Sequence, residues 1–444
     1  MKFSKKIVAS ILALALSVIL LALGFDHNAW DVVREKKFET FQNDSESLVM
    51  GRLVASRQYG LTSYGALMGW GDADPLNLND SDYQHQYDVY YARGKFQIYS
   101  VYKSQTGFQA FFFSLLDHLS PLAPKWNLRL FRGLMALLLA LTLSFFILWM
   151  YREFGWFTAL LVFITTLLSP WITLFGRNLL YFTWAFYLPM VLTAFYLAWE
   201  KRSGKISHRM LGLLVFATVA FKCLFDGYDF IIPSLAMVFI PLVYYGFLDK
   251  WNIRRFMTRL AIVSVACAGG VITGIIVLAF QLRFVDGSFG AGIADVFSTF
   301  GRRTYGNPSL YPSVYAESLK ANPISVLATY LFNDYVLAFI NLHFSDLILI
   351  VAIFTLIYLA IDKFVKLNLL NKNRTYALIA STWVSVLSPI SWFVIFKGQA
   401  YVHTHTNYLA WYMPFTFFAF ALCAFVVQDI SQSFSMRKPV LSNG

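Results

Sequence analysis

Apolar residues in this chain gather in long unbroken runs. The first extends from Ile7 to Gly24, and others cover about 133–150, 156–174, 180–199, 211–225, 230–248, 260–281, 346–361, 377–396 and 408–428. A helix of roughly 20 apolar residues crosses the hydrocarbon of a bilayer and satisfies its own backbone polar groups. The pattern therefore predicts an all-α polytopic membrane protein of about ten transmembrane helices, one integral membrane domain over residues 1–444. The basic start Met1-Lys2-Phe3-Ser4-Lys5-Lys6 before the first run also suits a cleaved signal peptide. That run is long for a signal peptide and lacks a small-x-small cleavage site, so a retained first helix is expected. The apolar segment 324–340 is interrupted by Asn333-Asp334 and reads as re-entrant or interfacial.

Charge orients these spans. With the N-terminus inside, the inner pieces are 1–6, 151–155, 200–210, 249–259, 361–375 and 429–444. They hold eighteen Lys/Arg against five Asp/Glu. The short outer turns 175–179, 226–229 and 397–407 hold two basic residues, Arg177 and Lys397. This is a positive-inside distribution with both termini cytoplasmic. The net charge of +12 thus reports topology and gives no reason to expect a nucleic-acid partner. Only 14% of residues are charged and 18% are aromatic, which excludes a disordered chain and argues against a soluble enzyme. Cys223, Cys267 and Cys423 lie in apolar stretches and form no disulfide or zinc pattern.

Two long segments, 25–132 and 282–345, then lie outside and are expected to carry short amphipathic helices. The first holds twelve of the twenty-four acids. Asn43-Asp44-Ser45-Glu46 opens a predicted helix that runs to about Tyr59, with Gly60 placed to close it. Asn43 and Glu46 fit a capping box, and acids in a first turn complement the helix dipole. The competing reading makes Asp44 or Glu46 a base that takes a proton from a sugar hydroxyl. Asp72, Asp74, Asp80 and Asp82 lack EF-hand spacing and read as a solvated turn. The stretch 99–116 reads as an amphipathic surface element whose Gln105 and Gln109 share a helix face, for sugar or for water.

Other polar residues sit near the outer ends of spans. Lys222 interrupts a span, with Asp226 four residues on as its partner and Tyr228-Asp229 just beyond. Lys397, His403 and His405 crowd one outer turn. They lack a third ligand for zinc but suit a lipid phosphate, or a plain surface loop. Arg302-Arg303 form a second basic pair, for phosphate, glycan or solvent.

The layout resembles the GT-C superfamily of membrane glycosyltransferases, which use polyprenyl-phosphate-linked sugars. The resemblance rests on one helix leading to a large outer loop and on Asn43-Asp44-Ser45-Glu46 with Arg52 and Gly60 downstream. About ten spans and a second outer loop follow. Lys222…Gly227-Tyr228-Asp229, Lys397…His403-Thr404-His405 and Trp411-Tyr412-Met413-Pro414 also look like bacterial members that decorate surface polysaccharides. Many members place Asp-Glu adjacent, whereas Ser45 intervenes here, and Asp44 is the closer positional match.

The resemblance implies a bacterial cytoplasmic-membrane hexosyltransferase acting on the external face, with a glycan acceptor, membrane lipid as partner and no cofactor or metal. Asp44, with Glu46 second, would be the base. Lys397, His403, His405, Lys222, Arg302 and Arg303 would hold the donor phosphate. Gln105, Gln109, Tyr228 and Asp229 would meet sugar. The alternatives are an O-antigen polymerase or ligase, which relies on outer Arg and His without a first-loop acid, and a lipid or sugar transporter. A transporter calls for ionisable residues at mid-membrane, and the spans carry almost none beyond Lys222.

Overall fold

In a computed structural model, residues 5–41, 43–75, 77–365 and 369–436 are described. Met1–Ser4, Lys366 and 437–444, which contribute to the charge pattern, lie outside the described residues. The chain is mostly helix: α1 (Lys5–His27), α2 (Glu35–Thr40), α3 (Asn43–Tyr59), α4 (Asp80–Tyr91) and α5 (Phe108–Leu119) come first. Strands β1 (Gly69–Gly71) and β2 (Tyr99–Val101) lie among them and pair antiparallel, Trp70 opposite Ser100. Then follow α6 (Pro124–Phe154), α7 (Trp156–Leu167), α8 (Pro170–Phe175), α9 (Thr183–Ser203), α10 (His208–Asp226), α11 (Ile231–Leu248) and α12 (Ile253–Asp286). The next group is α13 (Phe289–Arg303), α14 (Ser313–Lys320), α15 (Pro323–Phe332) and the hairpin β3 (Tyr335–Leu337) and β4 (Ile340–His343). The chain closes with α16 (Phe344–Ala360), α17 (Lys372–Ile395), α18 (Lys397–Val402) and α19 (Phe415–Ser435).

Among the described residues, eight helices are long and apolar enough to cross a membrane: α1, α6, α10, α11, α12, α16 continued to Val365, α17 and α19. The other two expected spans take different forms. The run 156–174 is broken into α7 and α8, because Pro170 has no N–H to continue α7 and instead starts a new helix capped by the Ser169 hydroxyl. The run 180–199 becomes α9, which continues into Glu200-Lys201-Arg202.

Boundaries also shift. Helix α6 starts at Pro124, well before 133, and α12 runs past both ends of 260–281. At 1.5 Å per residue α12 is about 51 Å long, longer than the hydrocarbon is thick. The segments between the long helices are correspondingly shorter than 25–132 and 282–345. The segment 324–340 forms the ten-residue α15 and then a hairpin, so Asn333-Asp334 does end its helix. Residues 99–101 are strand, and helix begins only at Phe108, so the expected amphipathic element is a short strand, a connecting turn and then helix.

The core is apolar and aromatic, built where α6, α9, α11, α17 and α19 meet. Helices α1, α12 and α16 stand outside it and leave Leu12, Leu16, Val265, Ile272, Leu349 and Leu356 exposed. Apolar surface of that extent on helices of spanning length belongs against lipid. Away from the site, Glu200 pairs with Arg255 and Arg259, and Glu153 accepts the Tyr244 and Tyr245 hydroxyls at 3.0 and 2.9 Å.

Candidate functional site

Three segments far apart in sequence close on one polar cleft of about 580 Å³. The first is the start of α3 with the paired strands β1 and β2, the second is the end of α13, and the third is α18 with the turn after it; Leu180-Tyr181 and Asp229 add lining from the turns before α9 and α11. The strand pair is held by Gln86 of α4, whose side-chain amide bonds Gly71 N and O, each at 2.9 Å. That places Trp70 and Tyr102 in the cleft wall, their rings 5.9 Å apart edge to face. Gly398 of α18 packs on the end of α13 so closely that a Cβ there would stand 2.8 Å from Arg302 O. Only glycine permits that approach.

Asp44 lies in the first turn of α3 and lines the cleft, half-buried. Its carboxylate accepts the Ser45 hydroxyl at 3.3 Å and forms no ion pair among the described residues. Glu46, two residues on, faces the opposite way. It is buried and receives Arg132 Nε at 3.0 Å, the Tyr87 hydroxyl at 3.1 Å and Leu179 N at 3.2 Å. That carboxylate is spent on joining α3 to α4, α6 and the turn before α9, and it does not line the cleft. Nor is it directed to the capping box that Asn43 and Glu46 suggested. Of the two candidate bases, Asp44 is the one open to a ligand.

Arg303 ends α13 and is buried, with Nη1 2.8 Å from Asp229 Oδ1 and Nη2 3.4 Å from the Tyr102 hydroxyl. Its Nε is buried with no hydrogen-bond partner among the described residues. Asp229 is held in turn by Gln105, whose carbonyl accepts the Gln109 amide at 2.9 Å. Gln109, Gln105 and Asp229 therefore form a chain that ends on the arginine and fixes where its charge points. Gly227 makes this possible: it has φ +59°, and a Cβ there would meet Gln105 Cγ at 2.7 Å. Arg302 lies beside it over the Tyr315 ring, 4.5 Å from the centroid, with Nη2 3.3 Å from Ser104 Oγ. His403 completes this wall. Burial, then the neighbouring His405 and Arg303, hold its imidazole down at about 4, so at neutral pH it offers hydrogen bonds and no charge.

An apolar groove of about 330 Å³ opens beside the cleft. Its walls include Ile231 and Leu235 of α11, Val271 and Ile275 of α12, and Phe297 and Phe300 of α13. Arg303, Lys103, Ser104 and Thr299 line both groove and cleft, so the two spaces meet at a guanidinium and an ammonium.

Several sequence expectations are redirected. Lys397 does not face the cleft: its ammonium donates to Leu319 O at 2.7 Å and Ala321 O at 2.9 Å, capping α14. Lys222 is buried; its ammonium donates to Gly227 O at 2.9 Å and Asp229 O at 2.5 Å and forms an ion pair with Asp226 Oδ2 at 3.3 Å. The expected Asp226 pairing is present, and Lys222 fixes the turn that carries Asp229. Gln105 and Gln109 do touch, but not along one helix face. Gln105 precedes Gly107, the left-handed N-cap of α5. Both glutamines are buried behind Asp229 and do not line the cleft. Tyr228 belongs to the apolar groove. His405 lies apart from the arginines, in a second cleft. Arg52 is buried and ties Ser63 O, Gly60 O and Leu61 O to α3, away from the cleft.

Sequence reading missed Lys103 and Tyr83. Lys103 bridges Asp286 at 2.5 Å and Asp295 at 3.1 Å, joining the segment after β2 to α12 and α13. No spacing rule marks it, because its partners lie far away in the chain. Tyr83 lines both polar clefts, and only the α4 register could have drawn attention to it. Compared with family models, with curated proteins and with solved structures, the chain matches none.

Proposed function

We propose that this protein is a membrane glycosyltransferase that moves a hexose-type sugar from a polyprenyl-phosphate donor to a cell-surface or lipid-linked glycan. The observation that carries this reading is the junction of an apolar groove with a polar cleft at Arg303 and Lys103, with the Asp44 carboxylate in the same cleft. A lipid-linked sugar has those three parts in that order: a hydrocarbon chain, an anionic phosphate and a sugar.

In this reading the isoprenoid lies in the groove between α11, α12 and α13. Arg302 and Arg303 hold the phosphate by charge-assisted hydrogen bonds, and His403 adds a neutral one. Asp44 accepts the acceptor hydroxyl's proton as that oxygen bonds the anomeric carbon. The bond from that carbon to the phosphate oxygen breaks, and its electron pair leaves with polyprenyl phosphate. The arginines stabilise the charge that develops there. Ten spans, with both termini in the cytoplasm of a bacterial cell and the cleft on the outer face, accommodate this chemistry. The broken α7–α8 and α9 are the two spans beyond the eight long ones.

The test is to incubate the purified protein, in lipid nanodiscs, with a panel of polyprenyl-phosphate hexoses and surface glycans. One donor should be consumed with release of polyprenyl phosphate. Movement of the intact lipid across a bilayer without bond cleavage would replace this reading with transport.

A further inference from the structure

A second open cleft, of about 720 Å³, meets the first at Asp44. Asp44 and Tyr83 are the lining residues the two share, and neither arginine reaches the second cleft. We infer that this second cleft is the acceptor site and that it takes the uncharged, hydroxyl-bearing end of a sugar chain. The inference rests on the transfer reading above.

The argument begins with Asp44. A base must touch the hydroxyl it deprotonates, so the acceptor has to reach this carboxylate. The donor phosphate and its lipid occupy the arginine side. The remaining open approach to Asp44 is the second cleft.

Charge then selects the ligand. Lys36 and Lys37 face Asp44 and Asp80 across this cleft, two ammonium groups against two carboxylates. The Lys37 ammonium is partly engaged, 4.9 Å from the Trp171 ring centroid. The one histidine here, His405, brings no fixed charge at neutral pH. A phosphate or carboxylate terminus would meet as much repulsion as attraction. In the arginine cleft Arg303 and Lys103 are paired with Asp229 and Asp295, whereas Arg302 has no ion-pair partner among the described residues and is the charge left for an anion.

The walls suit sugar. Phe41 and Tyr83 supply rings for the C–H faces of a pyranose, and the Asn43 and Gln84 amides can each give and take hydrogen bonds from hydroxyls. Burial, then the Asp44 carboxylate, raises the Tyr83 phenol, so it remains a hydroxyl donor beside the base. Tyr83 and Gln84 lie on the open side of α4, and among the described residues Gln84 bonds only Asp88 on its own helix, at 2.9 Å. Replacing them leaves the fold in place.

Saturation-transfer NMR of the full-length protein in nanodiscs, without donor, tests the inference. The probes are neutral hexose trisaccharides and the same trisaccharides carrying a terminal phosphate. Neutral probes should bind at least as well as phosphorylated ones. Binding should weaken roughly ten-fold in the Tyr83→Ala/Gln84→Ala variant, the loss of a ring contact and a hydrogen bond. A preference for phosphorylated probes that disappears in Lys36→Ala/Lys37→Ala would overturn it. So would absence of saccharide binding, or binding indifferent to Tyr83 and Gln84. No turnover is involved, so a failed donor assay with intact saccharide binding counts against the transfer reading alone.

Discussion

Asp44→Asn should lower sugar transfer by roughly 10²–10⁴-fold, the range for losing a general base, while the protein still inserts and binds donor. Asparagine keeps the size of the side chain and starts a helix as well as aspartate does, so the first turn of α3 is undisturbed. Asp44 has no ion-pair partner among the described residues that the change would strand. Glu46→Gln should act differently. Its carboxylate answers Arg132, Tyr87 and Leu179 N in the interior, so the loss should appear as lower thermal stability with the surviving protein active. Single-turnover assays of folded protein separate the two outcomes. Full activity in Asp44→Asn would remove the first-loop acid from the mechanism and favour the polymerase or ligase alternative, which relies on Arg302, Arg303 and His403 instead.

Arg303→Gln should weaken donor binding by roughly 10–150-fold, the worth of a charge-assisted hydrogen bond to an anion. It should also destabilise the protein by about 3–5 kcal/mol, because Asp229 is left buried without its partner. The double variant Arg303→Gln/Asp229→Asn separates these effects. It removes both buried charges, so stability should largely return while donor affinity stays low. Lys397→Met provides the contrast. Its ammonium caps α14, so it should lower the thermal midpoint and leave donor affinity unchanged. Affinity that follows stability through all three variants would mean Arg303 supports the fold and holds no phosphate.

The membrane class was legible in the sequence because spanning helices are written in local composition. So were the start of α3 and its closure at Gly60, which has φ +97°. Helix breaks were less legible: Ser169-Pro170 sits within an apolar run that hydropathy alone reads as continuous. At the site, Asp44, Arg302, Arg303 and His403 were picked out because charge near a span end is conspicuous, and the fold gathers them in one cleft. Lys222 and Lys397 were conspicuous for the same reason, yet both are consumed by backbone carbonyls. Sequence shows where a charge lies along the chain, but not which carbonyls fold back to meet it. Asp229 was expected to meet sugar. It lines the cleft and also holds Arg303, a pairing across 74 positions that no local pattern encodes.

The most direct measurement is a cryo-electron microscopy map of the full chain with a non-transferable polyprenyl-phosphonate hexose. The account places the phosphonate between Arg302 and Arg303, the isoprenoid between α11, α12 and α13, and the sugar against Asp44. A second groove, of about 620 Å³ between α1, α6 and α7, is lined by Ser17, Ser144 and Tyr151 and has no basic residue in its lining among the described residues. Lipid density there, with the arginine cleft empty, would contradict the account.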